Sequence, residues 1–265
     1  MKPMTKKIGD LAPLESFDPA AFIGNDTVSQ DVCNFVLTLA LIFNDLKDLI
    51  FAQVTLQSQK PDGPFKISRR WGEYNGIDQH LWKLMVGLFH EVVQLVRDSE
   101  DVIADPFFQS VIQGLRRKEK DIWLSLVDAA RAKGPGENRF ALLIRNKVVF
   151  HYEPKEIYRG YKTFFASDVP AARRAFVSRG NDMEHTRLFF ADAAVTGYLM
   201  SRGEGKLEEL MTNVITSVTE LNFMLTGIVD TFIQKRRFAY RKESEEIMSS
   251  PVFGKNESNE AMSEK

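Results

Sequence analysis

The chain has 265 residues, of which 44% are hydrophobic and 27% charged, and its formal net charge is −1. These proportions exclude a disordered, collagenous or disulfide-scaffold protein and leave ample apolar material for a core. Near-neutrality excludes a uniformly basic nucleic-acid coat but not a local basic face, and a single cysteine excludes an intrachain disulfide or a C-x-x-C centre.

The opening segment MKPMTKKIGDLAPLESF carries charge without the apolar run of a signal peptide. From Val28 to about Gln57, the residues Val32, Phe35, Val36, Leu39, Ile42, Phe43, Leu46, Leu49 and Ile50 step by three and four, the spacing of one helix face. Asp26 or Thr27 is the expected N-cap. The apolar stretch Phe35–Phe43 ends at Asn44, Asp45, Lys47 and Asp48, too soon to span a bilayer. A reduced, cytoplasmic protein with no membrane partner is expected, with Cys33 a buried, inert thiol.

Lys60 to Ile77 carries two prolines and three glycines and reads as a long loop. A second helix is expected over 78–98, with Leu81, Leu84, Met85, Leu88, Phe89, Val92, Leu95 and Val96 as its apolar positions. Asp105-Pro106 pairs an N-cap with proline at the first helical position and opens a helix to about Arg117. Glu119 to Ala132 places Ile122, Trp123, Leu126, Val127 and Ala130 on one side. Gly134-Pro135-Gly136 is a break, and a helix over 139–152 is ended by Pro154.

Another helix is expected over 155–166, and 167–180 reads equally as loop, helix or small hairpin. Helices follow over 183–200 and 206–242, the last with a stripe from Leu207, Leu210, Val214, Val218, Leu221, Leu225, Ile228 and Phe232. The expected organisation is an N-terminal extension (1–27), one all-α domain (28–245) and a disordered tail (246–265).

Standard catalytic signatures are missing. The sequence has no phosphate loop, no G-x-G-x-x-G, no H-E-x-x-H, no G-x-S-x-G and no two Glu-x-x-His pairs for a di-iron bundle. Asp182-x-x-His185 is its nearest approach to a metal pair, and Asp182 reads more simply as a helix N-cap. No metal or cofactor is expected. His80 and His90 fall among apolar positions of the second helix and read as partly buried residues satisfied by local partners.

The informative segment is Leu143-Ile144-Arg145-Asn146-Lys147-Val148-Val149-Phe150-His151-Tyr152. Imidazole titrates near neutrality and can move the proton of a ribose 2′-OH or of a leaving oxygen. Guanidinium stays charged and forks onto phosphate oxygens. Together they supply what phosphodiester cleavage without a metal requires. Six residues apart on a regular helix, Arg145 and His151 stand about 120° apart around the axis, so convergence needs the last turn to unwind or the arginine to wrap around. A structural alternative has Arg145 pairing an acid and His151 capping a helix C-terminus.

This segment resembles the Arg-x(4–6)-His signature of the HEPN superfamily, helical domains that include many metal-independent ribonuclease toxins. The polar Asn146 after the arginine and the aromatic Tyr152 after the histidine are similar to that family, and RNKVVFHYEPKEIYRGY resembles members associated with phage abortive infection. The resemblance implies an all-α multi-helix bundle of HEPN type that forms a homodimer, with two motif copies lining one RNA cleft. It implies catalytic roles for Arg145 and His151, and substrate contacts for Asn146, Lys147 and Tyr152. A defence or toxin role would bring an antitoxin or other partner protein. A second match, Arg179-x5-His185, has Gly180 in place of asparagine.

Between Arg131 and Arg187 there are 12 Lys or Arg against six Asp or Glu, an imbalance suited to a phosphate-bearing partner. Tyr158, Tyr161, Phe164 and Phe165 beside these cations could stack bases or form a core stripe. The alternative to RNA chemistry is a non-catalytic helical interaction module, a homodimeric scaffold through its long terminal helices.

Overall fold

The computed structural model describes residues 15–64, 67–131, 153–168, 170–181, 185–202 and 207–242. Eight helices account for most of them: α1 (Gln30–Gln57), α2 (Arg69–Asp98), α3 (Glu100–Ala104), α4 (Pro106–Gly114), α5 (Arg117–Arg131), α6 (Pro154–Phe165), α7 (Phe189–Arg202) and α8 (Leu207–Lys235). The protein is an all-α multi-helix bundle, with long helices near both ends of the described chain. The sequence segments 139–152 and 246–265 lie outside the described residues. Among the described residues no helix is long and apolar enough to cross a membrane.

The three-and-four spacing serves one core. α8 packs against α1, α2, α4 and α5, α1 against α2, and α2 against α5. Leu39 and Leu46 of α1, Trp82 and Met85 of α2, Trp123 of α5, and Leu221, Met224 and Phe232 of α8 are fully enclosed. At about 25 cal/mol per Å2 of apolar surface, each such side chain contributes roughly 1.5–3 kcal/mol. The Phe108 ring of α4 meets Phe35 edge-on at 5.3 Å and Trp123 at 5.4 Å, so α1, α4 and α5 share one aromatic contact. Asp105 caps α4 as expected, accepting from the Phe107 and Phe108 amides at 2.8 and 3.1 Å.

Several expected boundaries move, each for a physical reason. α1 is capped by Ser29, whose hydroxyl accepts from Val32 N–H, and not by Asp26 or Thr27. α2 begins at Arg69 behind the Ser68 cap, so Arg69–Ile77 is helix where the sequence reads as loop. Trp71 and Tyr74 anchor that extra length, stacking edge-on at 5.9 Å beside Leu56. α7 begins only at Phe189, because Arg187 is held in a bridge with Ser178. That bridge and a 3-10 turn over Pro170–Arg173 resolve the ambiguous 167–180 stretch as turn followed by extended chain.

α8 stops at Lys235 and not near 242. The Phe238 amide donates to the Ile233 carbonyl and the Arg237 amide to that of Gln234, a Schellman closure with Arg237 left-handed at φ 63°. Glycine ordinarily fills this position, and the Cβ of an L-residue is strained there. Arg237→Gly is expected to stabilise the fold by about 1 kcal/mol; urea denaturation showing lower stability in the variant would contradict the assignment.

Past this turn, β2 (Arg241–Lys242) pairs antiparallel with β1 (Glu15–Ser16), a two-stranded ribbon that the apolar periodicity does not announce. The N-terminal segment is tied down by Arg236. Its guanidinium donates to the carbonyls of Ala20 (3.1 Å) and Ile23 (2.8 Å) and approaches Cys33 Sγ at 3.4 Å. Cys33 is buried as expected, and burial raises its thiol pKa despite the nearby arginine. Tyr240 donates to Asp230 Oδ1 at 2.9 Å, and burial followed by that carboxylate holds its phenol above the ordinary range.

Candidate functional site

The residues singled out by the sequence motif, Arg145, Asn146, Lys147, His151 and Tyr152, lie outside the described residues, as does Asp182. Two residues beyond Tyr152 in sequence, Pro154 opens α6. Its lysines and exposed aromatic therefore follow the motif closely along the chain.

α6 is strongly amphipathic because its apolar residues return at helical spacing: Ile157 packs against the main core while Tyr161, Phe164 and Phe165 are half-buried. The rings of Tyr161 and Phe165 lie 4.5 Å apart, and those of Phe164 and Phe165 5.2 Å. These three belong to the packed side. Tyr158 does not: it is 62% exposed, with Lys162 Nζ 5.0 Å from its ring centroid one turn on. Lys155, Arg159 and Lys162 are exposed, and Arg159 is paired with Glu156 at 3.1 Å. The outer face thus presents an aromatic ring and two lysines without ion pairs among the described residues.

α6 reaches the bundle through α7. Gly160 and Gly197 sit at the crossing, where a Cβ on Gly160 would strike the Ala194 carbonyl and Tyr198 backbone, and a Cβ on Gly197 the Gly160 carbonyl. α7 is in turn clamped to α2 by polar groups. Arg187 donates to Asp192 Oδ2 at 3.0 Å and to Glu73 at 3.1 Å, its guanidinium spread over Gly76. Gln79 Nε2 donates to Thr196 Oγ1 at 2.9 Å. Deeper along α2, Lys83 is buried, and desolvation lowers its amine pKa against the pull of Asp192. His80 is exposed and not part of an apolar face; partial desolvation, then Lys83 and Arg187, keep its imidazole below its ordinary value. His90 is buried where a partly buried residue was expected.

The Lys83 environment has a measurable consequence. A base whose folded-state pKa is depressed binds fewer protons folded than unfolded, so stability rises with pH toward the unfolded lysine value of about 10.4. Lys83→Met is expected to be more stable at neutral pH, with an advantage that shrinks as the solution becomes alkaline. Melting curves at about pH 7 and about pH 9.5 check this, and an advantage that grows with pH would refute it.

Between the N-terminal half of α2, the end of α6, the 174–177 segment and the start of α7 lies a cavity of about 400 Å3. Gly72 and Gly76 belong to its α2 wall, where the absence of a side chain lets the Phe189 ring lie against Gly72 and the Arg187 guanidinium against Gly76. Its walls come from four separated stretches of chain, and sequence reasoning missed it; the glycines of 60–77 were its one visible trace. Arg179 and His185, the second motif match, are exposed on the two arms joined by the Ser178–Arg187 bridge, with Gly180 packed against His185. Among the described residues no three His, Cys, Asp or Glu side chains are grouped to hold a metal ion. No protein-family model, curated protein or solved structure matches this chain, and its own residues are the ground for a functional reading.

Proposed function

We propose that this chain binds single-stranded RNA and cleaves it without a metal, in the manner of HEPN-like ribonucleases of the defence or toxin type. The carrying observation is the outer face of α6, where exposed Tyr158 lies beneath Lys162 beside Lys155, directly after the Arg145–Tyr152 motif in sequence. Stacking on an aromatic ring and salt-dependent contact with phosphates are how single strands are held without sequence preference.

In the proposed reaction His151 takes the 2′-OH proton as O2′ bonds to phosphorus, the bond to the 5′ oxygen breaks, and that oxygen takes a proton from water while the His151 imidazolium returns its own to solvent. The products are a 2′,3′-cyclic phosphate and a 5′-hydroxyl. Arg145 stabilises the charge gathering on the phosphoryl oxygens, while Asn146, Lys147 and Tyr152 orient the strand. Two chains would face their motifs into one cleft.

The test is fluorescence anisotropy with a labelled single-stranded RNA. Tyr158→Ala is expected to weaken binding by about 1–3 kcal/mol. Lys162→Glu should make the plot of log affinity against log salt shallower, by about 0.7 in slope for each phosphate the protein ceases to neutralise. Thermal stability should stay within about 0.5 kcal/mol for these surface changes. Unchanged affinity in both variants would discard this face as an RNA platform. One observation favours the second reading, a helical homodimeric module: Leu37 and Leu41, one turn apart on α1, are 53% and 60% exposed. A dimer abolished by Leu41→Lys, with no RNA binding at all, would decide for it.

A further inference from the structure

The cavity beside α6 has a chemical character of its own, independent of the RNA reading. Phenylalanines dominate its wall: Phe164 and Phe165 from the end of α6, Phe176 from the extended segment, and Phe189 and Phe190 from the start of α7. Its volume, about 400 Å3, falls within the roughly 300–1,000 Å3 of small-molecule sites, which are mostly apolar with a few placed polar groups.

The charges at this cavity are not balanced in the same way. Asp192, which lines it, is already held by Arg187 at 3.0 Å. Arg69 and Arg174 also line it, both exposed, and neither has an ion pair or hydrogen bond among the described residues. Arg69 is the first residue of α2, whose first turn has no acidic side chain. A cation there opposes the positive end of the helix dipole, whereas an anion bound beside it would be favoured by both.

The geometry points to a binding site for an amphiphilic organic anion: an apolar aryl or acyl body among the phenylalanines, with a single carboxylate, phosphate or sulfonate head held by Arg69 and Arg174. The apolar wall excludes a free inorganic ion, which would lose hydration there without compensation. The two guanidiniums disfavour a neutral hydrocarbon as the preferred occupant, because only an anion forms charge-assisted hydrogen bonds with them.

The experiment compares two probes of nearly the same body. Anilinonaphthalene sulfonate carries the anionic head, and phenylnaphthylamine lacks it. The full chain is expected to bind the sulfonate saturably, one per chain, and more tightly than the neutral probe. Arg69→Gln with Arg174→Gln should weaken the sulfonate about tenfold and leave the neutral probe unchanged. Filling the cavity with Ala193→Leu should abolish both; should that variant fold poorly by near-ultraviolet circular dichroism, Val177→Trp at the exposed rim serves instead. Displacement by dodecanoate or by dodecyl phosphate supports the site and tells which head it prefers. Absence of saturable binding, equal sulfonate affinity in the double variant, binding that survives cavity filling, or equal displacement by dodecanol would each overturn the inference.

Discussion

Gly160→Val is expected to part α6 from α7 at a cost of about 3 kcal/mol or more, the upper end for overpacking a tight contact. The atoms a Cβ would meet at Gly160 are the Ala194 carbonyl oxygen, the Tyr198 nitrogen and the Tyr198 Cβ, none of which can swing aside as a side-chain tip could. Either α7 shifts or α6 leaves. The helices differ in what holds them otherwise. α7 contributes Val195, Tyr198 and Leu199 to the main core, whereas α6 contributes only the partly buried Ile157. Gly160→Val should therefore lose helix locally, with the bundle still melting cooperatively, while Gly197→Val should lower the main transition itself. Hydrogen exchange resolves the two: fast exchange confined to α6 in the first variant, and spread to α7 and its core neighbours in the second. A Gly160→Val protein with protection in α6 unchanged would show that the crossing is not as close as described.

The same crossing explains what could and could not be read from the sequence. α1, α5 and α8 were legible because their buried residues recur every three or four positions, and α4 because Pro106 occupies a first helical position; α6 was expected from 155, with Pro154 read as the end of the preceding segment, and it opens on that proline. The start of α2 was not, since Gly72 and Gly76 look like breakers. Their reason lies more than a hundred residues away, in Phe189 and Arg187, which occupy the space a side chain would need. Likewise the end of α8 is hidden because Arg237 stands where glycine would announce a left-handed turn. The cavity is the extreme case: Arg69, Phe164, Arg174 and Phe189 carry no shared local pattern, and only the packing of α6 on α7, and of α7 on α2, assembles them. The outer face of α6 lay between. The sequence offered Tyr158, Tyr161, Phe164 and Phe165 as base platforms or core, and the fold separates them, leaving Tyr158 exposed and the others half-buried.

His151→Ala is expected to lower RNA cleavage by about 10²–10⁴-fold, the range for removing a general acid–base group, and Arg145→Ala by about 10²–10³-fold, the range for losing an oxyanion donor. Cleavage by the unaltered protein should persist in EDTA and leave 2′,3′-cyclic termini, read by end-group analysis of a labelled RNA. Neither variant should alter anisotropy binding as Tyr158→Ala does, because the proposed division assigns grip to α6 with Asn146, Lys147 and Tyr152, and chemistry to Arg145 and His151. The six-residue spacing sharpens the test. On one regular helix the two side chains point about 120° apart, so a single chain serves a phosphodiester poorly, and two chains facing each other could supply the imidazole from one and the guanidinium from the other. Mixing inactive Arg145→Ala and His151→Ala chains should then restore cleavage in the mixed dimers. Wild-type cleavage with no rescue on mixing would keep the ribonuclease and discard the shared cleft; cleavage undiminished in His151→Ala would discard the motif.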